Sequence, residues 1–401
     1  MGARDLNWRR TPLGKVCKIV GGSTPNSGVE RYWGGEIIWV TPTDLGRNEG
    51  IYVSSSERRI TQEGYESCGS ELVPAGSVVM SSRAPIGHVA IARVELCTNQ
   101  GCKTFVPSDK VDSLFVYFAL RHAMRGIREL GSGATFSEVS KSQLEAFEIS
   151  LPDVTEQKRI AAILNEQMAA VEKACAAAEA QHKCAQELTA SILRSVFDSA
   201  DAQGWPRKSI GEFAETTSGA TPSRGNAAYF GGAVPWIKTG ELRDNLIESA
   251  QERVTELALA ECSLPLLPEG TLLIAMYGQG QTRGRTGLLS IPATTNQACF
   301  AILPAPSSFE PRFLQYWFRH SYQRLRRETE GRGGNQPNLN GILLRNLQAP
   351  LPPVSEQRQI ADALDRELLA AEKISEAVEQ NVSTVDALPA VLLRRAFSGE
   401  L

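Results

Sequence analysis

Two stretches of this 401-residue chain repeat one another in order and spacing, so the fold must be one that a polypeptide can adopt twice. Trp8, Gly14, Gly22-Ser23-Thr24-Pro25, Tyr32-Trp33-Gly34-Gly35, Trp39 and Asn99-Gln100-Gly101-Cys102 return as Trp205, Gly211, Gly219-Ala220-Thr221-Pro222, Tyr229-Phe230-Gly231-Gly232, Trp236 and Asn296-Gln297-Ala298-Cys299, each displaced by 205 − 8 = 197 positions. Further on, Leu151-Pro152, Glu156-Gln157, Ile160-Ala161, Leu188, Leu193-Arg194 and Phe197 return as Leu351-Pro352, Glu356-Gln357, Ile360-Ala361, Leu388, Leu393-Arg394 and Phe397, displaced by 351 − 151 = 200. Two similar halves in one chain form a pseudo-two-fold object, and such an object can read two sites at a set separation.

The length suits two domains of roughly 150 residues plus connecting helices. With 42% hydrophobic and 22% charged residues, each half can bury a core of its own. No apolar run approaches the roughly 18 residues of a membrane span. Arg4, Asp5, Arg9 and Arg10 leave the N-terminus without the apolar core of a signal peptide, so a cytoplasmic protein is expected. The eight cysteines form no Cys-x-x-Cys, and Cys97 and Cys102 are not spaced like a zinc site, so reduced, packed thiols are expected. His88, His122, His182 and His320 contain no metal-binding pair. Of these, His122 and His320 match in the repeat and read as structural.

Each half reads as an α+β domain. Val78-Val79-Met80 and Val89-Ala90-Ile91 are short strand-like runs bounded by Pro74-Ala75-Gly76 and Pro85-Ile86-Gly87. From Leu114 to Leu130 the apolar residues fall at helical intervals, which predicts one helix packed on the sheet. The second half repeats the order with Leu266-Leu267, Leu272-Leu273-Ile274 and a helix around Phe313 to Leu325.

A long helix should follow each domain, with Thr155 and Ser355 as N-caps and a glutamate in the first turn. The apolar positions Ile160, Leu164, Met168, Leu188 and Ile192 are matched by Ile360, Leu364, Leu368, Leu388 and Leu392, and Val171, Val378 and Val385 by Ala371, Ala178 and Ala185, in one narrow stripe. That pattern belongs to a coiled-coil seam, and two such stripes can bury each other as an antiparallel pair. About 40 residues at 1.5 Å each give a spacer of roughly 60 Å. Pro389 should kink or break the last turns. The expected limits are 1–152 and 201–352 for the domains, and 153–200 and 353–401 for the helices.

The chain has no Gly-x-x-x-x-Gly-Lys-Ser/Thr loop, no Gly-x-Gly-x-x-Gly, no Asn/Asp-Pro-Pro-Tyr, no Gly-x-Ser-x-Gly and no His-Glu-x-x-His. An isolated enzyme is therefore not the expectation. Binding residues gather instead in glycine-marked loops. In the first half these carry Ser23, Thr24, Thr41, Thr43, Ser81, Ser82, Arg83, His88 and Thr135. In the second they carry Thr221, Arg224, Lys238, Thr239, Tyr277, Gln279, Gln281, Arg283, Arg285, Arg332, Asn335, Gln336 and Asn338.

Hydroxyls and backbone N–H groups suit phosphate oxygens, whereas Arg, Asn and Gln suit base edges. Gly, Ser, Thr and Pro are equally ordinary turn residues. The halves diverge most at Gly278 to Arg285, where the second gains six residues, and this loop is the best candidate for base readout. A net charge of −3 opposes nucleic-acid binding unless positive charge is local, as around Arg319, Arg324, Arg326, Arg327 and Arg332, with Arg121, Arg125 and Arg128 on the matching helix.

The two domains, the two helices after Leu-Pro-(x)-Val-(Ser/Thr)-Glu-Gln, the runs Trp39 to Leu45 and Trp236 to Leu242, and Gly131-Ser132-Gly133-Ala134-Thr135 together resemble the DNA-specificity subunit of type I restriction-modification systems. The second half departs from the last motif with Gly331-Arg332-Gly333-Gly334-Asn335. The resemblance implies two target-recognition domains, each reading half of a split sequence in double-stranded DNA, with the helices fixing the gap. It also implies two adenine-methyltransferase partners that bind S-adenosylmethionine, and a restriction translocase/endonuclease partner that uses ATP and magnesium. The alternative from the residues alone is a coiled-coil scaffold with two protein-binding heads.

Overall fold

The computed structural model describes residues 8–83, 85–131, 138–278, 281–329 and 339–401. The chain divides into two compact units, Met1–Glu179 with Asn381–Leu401, and Ala180–Gln380. Each holds one globular domain, the first part of the long helix that follows it and the last part of the other long helix.

In the first unit the order is β1 (Arg9–Pro12), β2 (Cys17–Gly21), β3 (Trp33–Val40), α1 (Pro42–Arg47), β4 (Tyr52–Val53), β5 (Arg59–Ile60), α2 (Gln62–Glu66), β6 (Val78–Ser81), β7 (Val89–Ala92), β8 (Cys97–Thr98), β9 (Cys102–Pro107), α3 (Ser113–His122), α4 (Met124–Leu130), α5 (Lys141–Ala146) and β10 (Glu148–Leu151), before the long α6 (Val154–Phe197). A five-stranded sheet runs β2-β9-β6-β7-β4, a three-stranded sheet β5-β3-β8, and β1 pairs with β10.

The second domain has α7 (Ala200–Gly204), β11 (Arg207–Ser209), α8 (Ile210–Phe213), β12 (Thr216–Ser218), β13 (Phe230–Ile237), β14 (Asn245–Ile247), β15 (Glu252–Val254), α9 (Glu256–Glu261), β16 (Leu272–Ala275), β17 (Thr286–Leu289), β18 (Thr294–Thr295), β19 (Cys299–Ile302), α10 (Pro311–Thr329), α11 (Gly341–Arg345) and β20 (Gln348–Pro350), before α12 (Val354–Phe397). Its sheets are β12-β19-β16-β17-β14, β15-β13-β18 and β11-β20, strand for strand those of the first.

The central strands explain their own composition. Side chains alternate across a strand, and both faces of β6 are covered. Val78 and Met80 join the cluster built on α3 around Phe115 and Phe118, while Val79 joins Val40, Leu45 and Leu96 on the other face. In β16, Leu272 and Ile274 face Phe313 and Phe318, and Leu273 and Ala275 join Ile237 and Leu289.

The single helix expected over 114–130 is two. Ala123 adopts φ −80°, ψ 0° and serves as C-cap of α3 and N-cap of α4. In the second domain α10 passes the matching point unbroken.

Both long helices contain 44 residues. Their N-caps are not those expected, because each starts at valine. Asp153 Oδ1 accepts the N–H of Glu156 at 2.9 Å, and Pro353 holds the matching position with no side-chain acceptor. The shared glutamine, not the cap, is the common device. Gln157 and Gln357 are fully buried. Gln157 accepts the N–H of Asp112 (2.9 Å) and donates to Pro152 O (2.9 Å); Gln357 accepts that of Glu310 (2.9 Å) and donates to Pro352 O (2.7 Å).

Each helix ends in an aromatic plug. The Phe397 ring lies 5.4 Å from Phe115 in the first unit, and that of Phe197 lies 5.4 Å from Phe313 in the second. The pairing is antiparallel: the start of α6 clusters with the end of α12 in one unit, and the end of α6 with the start of α12 in the other. In the first unit Ile160, Leu164, Met168 and Val171 are buried, and Val385, Leu388 and Leu392 half-buried. In the second, Leu364 is buried, and Leu188, Ile192, Ile360, Leu368 and Val378 are half-buried. Cys175 Sγ approaches Asp386 Oδ1 at 3.8 Å across the first pair. The helix runs through Pro389 without the expected break. Proline removes one N–H from the ladder, but Leu393, Ala396 and Phe397 are held in the core beyond it, so the last turns stay helical.

Candidate nucleic-acid interface

The two glycine-threonine-proline loops are built alike. A Cβ on Gly22 would lie 2.1 Å from Asn99 O, and one on Gly219 would lie 1.8 Å from Thr295 O, so only glycine fits. The indole N–H of Trp39 donates to Ser23 O (2.9 Å), and that of Trp236 to Ala220 O (3.2 Å). Ser23 is thus used through its backbone. What the latch presents is an exposed polar pair, the Thr24 hydroxyl donating to Gln100 Oε1 and the Thr221 hydroxyl to Gln297 Oε1.

Beside each pair lies a cation on an aromatic shelf. Arg58 sits 3.5 Å from the centroid of Trp33, which meets Trp39 edge-on at 5.1 Å. In the second domain Glu252 occupies the place of Arg58, as the matched pairings of Arg59 with Ile38 and Arg253 with Pro235 require. The cation there is Arg224, 4.7 Å from Phe230 and 5.3 Å from Trp236. Lys238 and Arg224 both bond Glu252 at 2.8 Å, the Lys238 bond first holding its carboxyl below the usual range. Sequence reading missed Arg58, since nothing local distinguishes it from Arg59; only the aromatic pair at Trp33 and Trp39 hinted at a cation.

Several residues expected to bind prove to be part of the fold. Thr41 caps α1 in a reciprocal box with Asp44. Lys238 N–H bonds Glu241 at the head of a 3-10 turn that contains the half-buried Thr239. Ser81 and Ser82 are fully buried, which corrects their reading as phosphate-facing hydroxyls. Ser81 Oγ donates to Pro85 O (2.7 Å) and accepts from His88 N (2.9 Å), so it shapes the turn; Ser82 Oγ donates to Gly101 O (3.2 Å). Arg83 pairs weakly with Glu138 at 3.9 Å. Thr43 is exposed, and the half-buried His88 lies over Gly46.

The divergent loop carries the largest correction. Arg283 is only 4% exposed and Arg285 bonds Asp244 at 2.5 Å, so neither arginine is free to reach a base. Asp244, with φ +60°, also accepts the N–H and hydroxyl of Thr286, each at 2.9 Å. The aspartate, its guanidinium and Tyr322, which donates to Gln281 O at 2.6 Å, fold the loop onto α10. Tyr277 and Gln281 remain exposed. Thr135, Gln279, Arg332, Asn335, Gln336 and Asn338 lie outside the described residues.

All eight cysteines are free, and among the described residues no group of His, Cys, Asp and Glu could hold a metal. Burial pushes the Cys17, Cys97 and Cys102 thiols up to about 12 and raises that of Cys299 as well, so they pack as small apolar groups. Among the described residues no helix is long and apolar enough to cross a membrane.

A family model described as the type I restriction modification DNA specificity domain matches residues 6–175 and again 202–380. The MjaIX specificity subunit of a type I restriction enzyme from Methanocaldococcus jannaschii is 28% identical over 309 residues, covering 73% of this chain and 72% of that protein. The EcoR124I/EcoR124II specificity subunit of Escherichia coli is 23% identical over 177 residues, 44% of each chain. Among solved structures, a chain from a study of complex assembly and conformational transition of the type I R-M system aligns with TM-score 0.74 at 20% identity over 100% of both chains. The HsdS subunit from Thermoanaerobacter tengcongensis aligns with TM-score 0.68 at 19% identity, over 100% of this chain and 99% of that one. One family model thus falls twice on one fold built twice, and the chain belongs to the type I restriction-modification DNA-specificity family, as a non-catalytic specificity subunit.

Proposed function

We propose that this chain reads a bipartite, asymmetric sequence in double-stranded DNA and directs partner adenine-methyltransferase and restriction subunits to it. One observation carries the reading. The two domains keep the same latch and the same exposed threonine-glutamine pair but change the charged residues beside it: Arg58 gives way to Glu252, and Arg224 becomes the cation on the aromatic shelf. A shared scaffold with two different polar faces is what two half-sites of different sequence require. The chemistry falls to the partners: S-adenosylmethionine on two methyltransferase subunits, and ATP with magnesium on the restriction translocase.

Co-expression with the cognate methyltransferase, followed by genome-wide methylation mapping, tests this. The expected product is methyl-adenine at one split, non-palindromic motif. If assembled complex yields no new motif and has no salt-dependent DNA affinity, the chain is instead a scaffold with two protein-binding heads.

A further inference from the structure

The long helix α6 does more than span a distance where it meets the second domain. Its residues Gln186 to Arg194, with Asp198 just past its end, form one wall of a 630 Å³ cavity whose other wall is α10, with Asp244 and Arg285 also lining it. Five guanidinium groups line this space: Arg194 from the long helix, Arg319, Arg324 and Arg327 from α10, and Arg285. Among the described residues only two carboxylates do, and each is already engaged. Asp198 Oδ1 lies 3.0 Å from His320 Nε2, and Asp244 holds Arg285 at 2.5 Å.

Among the described residues Arg194, Arg319 and Arg327 make no ion pair, and Arg324 has only a loose one with Glu328 at 3.9 Å. Gln186, Thr189 and Gln323 add neutral hydrogen-bonding groups to the same walls.

The first domain does not carry this set. Aligning His122 with His320 puts Met124, Gly126 and Glu129 where the second domain has Tyr322, Arg324 and Arg327. Its own helix arginines are spent locally. Arg121 donates to Tyr117 OH (3.1 Å), Arg125 pairs with Glu129 (3.3 Å), and Arg128 donates to Ile86 O (3.0 Å).

We propose that this cleft grips the sugar-phosphate backbone of DNA beside the half-site read by the second domain, so that the pseudo-symmetric subunit holds its duplex asymmetrically. The inference rests on the DNA-reading function proposed above. Phosphate oxygens accept from guanidinium, amide and hydroxyl groups alike, which is the mixture on these walls. A chain of net charge −3 needs such a local concentration of cations to hold a polyanion. An acidic protein segment is the competing occupant, and the experiment separates the two.

The test uses the full chain in complex with its cognate methyltransferase subunits, and a labelled duplex carrying the mapped motif. Binding is titrated against salt. Replacing Arg324→Gln and Arg327→Gln together should flatten the plot of log affinity against log salt by about 0.9 for each phosphate no longer neutralised, and leave the methylated motif unchanged. The pair Arg324→Lys and Arg327→Lys, which keeps the charge, should retain the wild-type slope.

A glutamine variant that assembles normally and keeps the full slope overturns the proposal. So does one that sheds its methyltransferase partners on size-exclusion while the lysine variant keeps them, since the cleft is then a protein dock. Absence of salt-dependent binding by the wild-type complex is a different result, because it removes the DNA-reading function itself.

Discussion

Arg285 and Asp244 show how a residue's role turns on which side of the backbone it occupies. A loop of glycine, glutamine and arginine has the composition of a base reader, yet its two arginines point inward, one buried and one closing on an aspartate that is 9% exposed. Sequence reveals the type of these residues but not their facing, and the same holds for Ser81 and Ser82. Truncating Arg285→Ala leaves a largely buried carboxylate without its cation. Because the guanidinium is itself 31% exposed, the cost falls between surface and buried pairs, roughly 2 kcal/mol, readable as a lower denaturant midpoint with the target bases unchanged. A change in the motif at normal stability would show that the loop reads bases after all.

Thiol chemistry gives a second residue-scale prediction. Raising a thiol pKa keeps the neutral, unreactive form populated to higher pH, so Cys17, Cys97 and Cys102 should resist iodoacetamide in the native protein up to about pH 10, while the exposed Cys184 is alkylated. Peptide mass mapping before and after denaturation checks it, and native labelling of Cys102 would contradict the packing.

Elements are more legible than residues, because period and spacing survive where facing does not. The apolar stripes of α6 and α12 can be followed position by position, and the strand runs at 78–80 and 272–274 lie at the centre of their sheets. Three local details escape. Apolar spacing carries straight across Ala123, where the backbone turns. Thr155 and Ser355 look like caps, but the valine before each is already helical, so the cap is Asp153 in one helix and falls on Pro353 in the other. Pro389 carries a local penalty that the packed residues beyond it overcome. That penalty remains in the folded protein, so Pro389→Ala should restore a backbone hydrogen bond and raise stability by up to about 3 kcal/mol. Thermal unfolding monitored by circular dichroism reads the gain. An unchanged or lowered midpoint would mean that the proline ring itself fills a needed space in the first unit.

At the scale of the whole molecule, duplication is the one feature that dictates architecture from the chain alone, since a repeated order of landmarks demands a repeated order of strands. What duplication hides is the polar face, because the residues that distinguish the two domains are those that do not repeat, as Arg58 and Glu252 illustrate. It also conceals the asymmetry of charge between the two domains.

The long helices lead to the most direct test of the proposed function. Each contains 44 residues, carries in its first turn a glutamine buried under the domain it follows, and ends in a phenylalanine plug under the other, so each end is anchored in a domain. Deleting four residues from the middle of each shortens both by about 6 Å and rotates the remainder by only about 40°, which nearly preserves the apolar stripe. At one base pair per roughly 3.4 Å, the gap between the halves of the target should contract by about two base pairs, with the bases of each half unchanged. Methylation mapping with the shortened subunit measures both quantities at once. Cutting one helix alone mismatches the anchors and should cost assembly instead. A double deletion that leaves the gap as it was, or that alters the bases read, would show that the helices do not set the spacing.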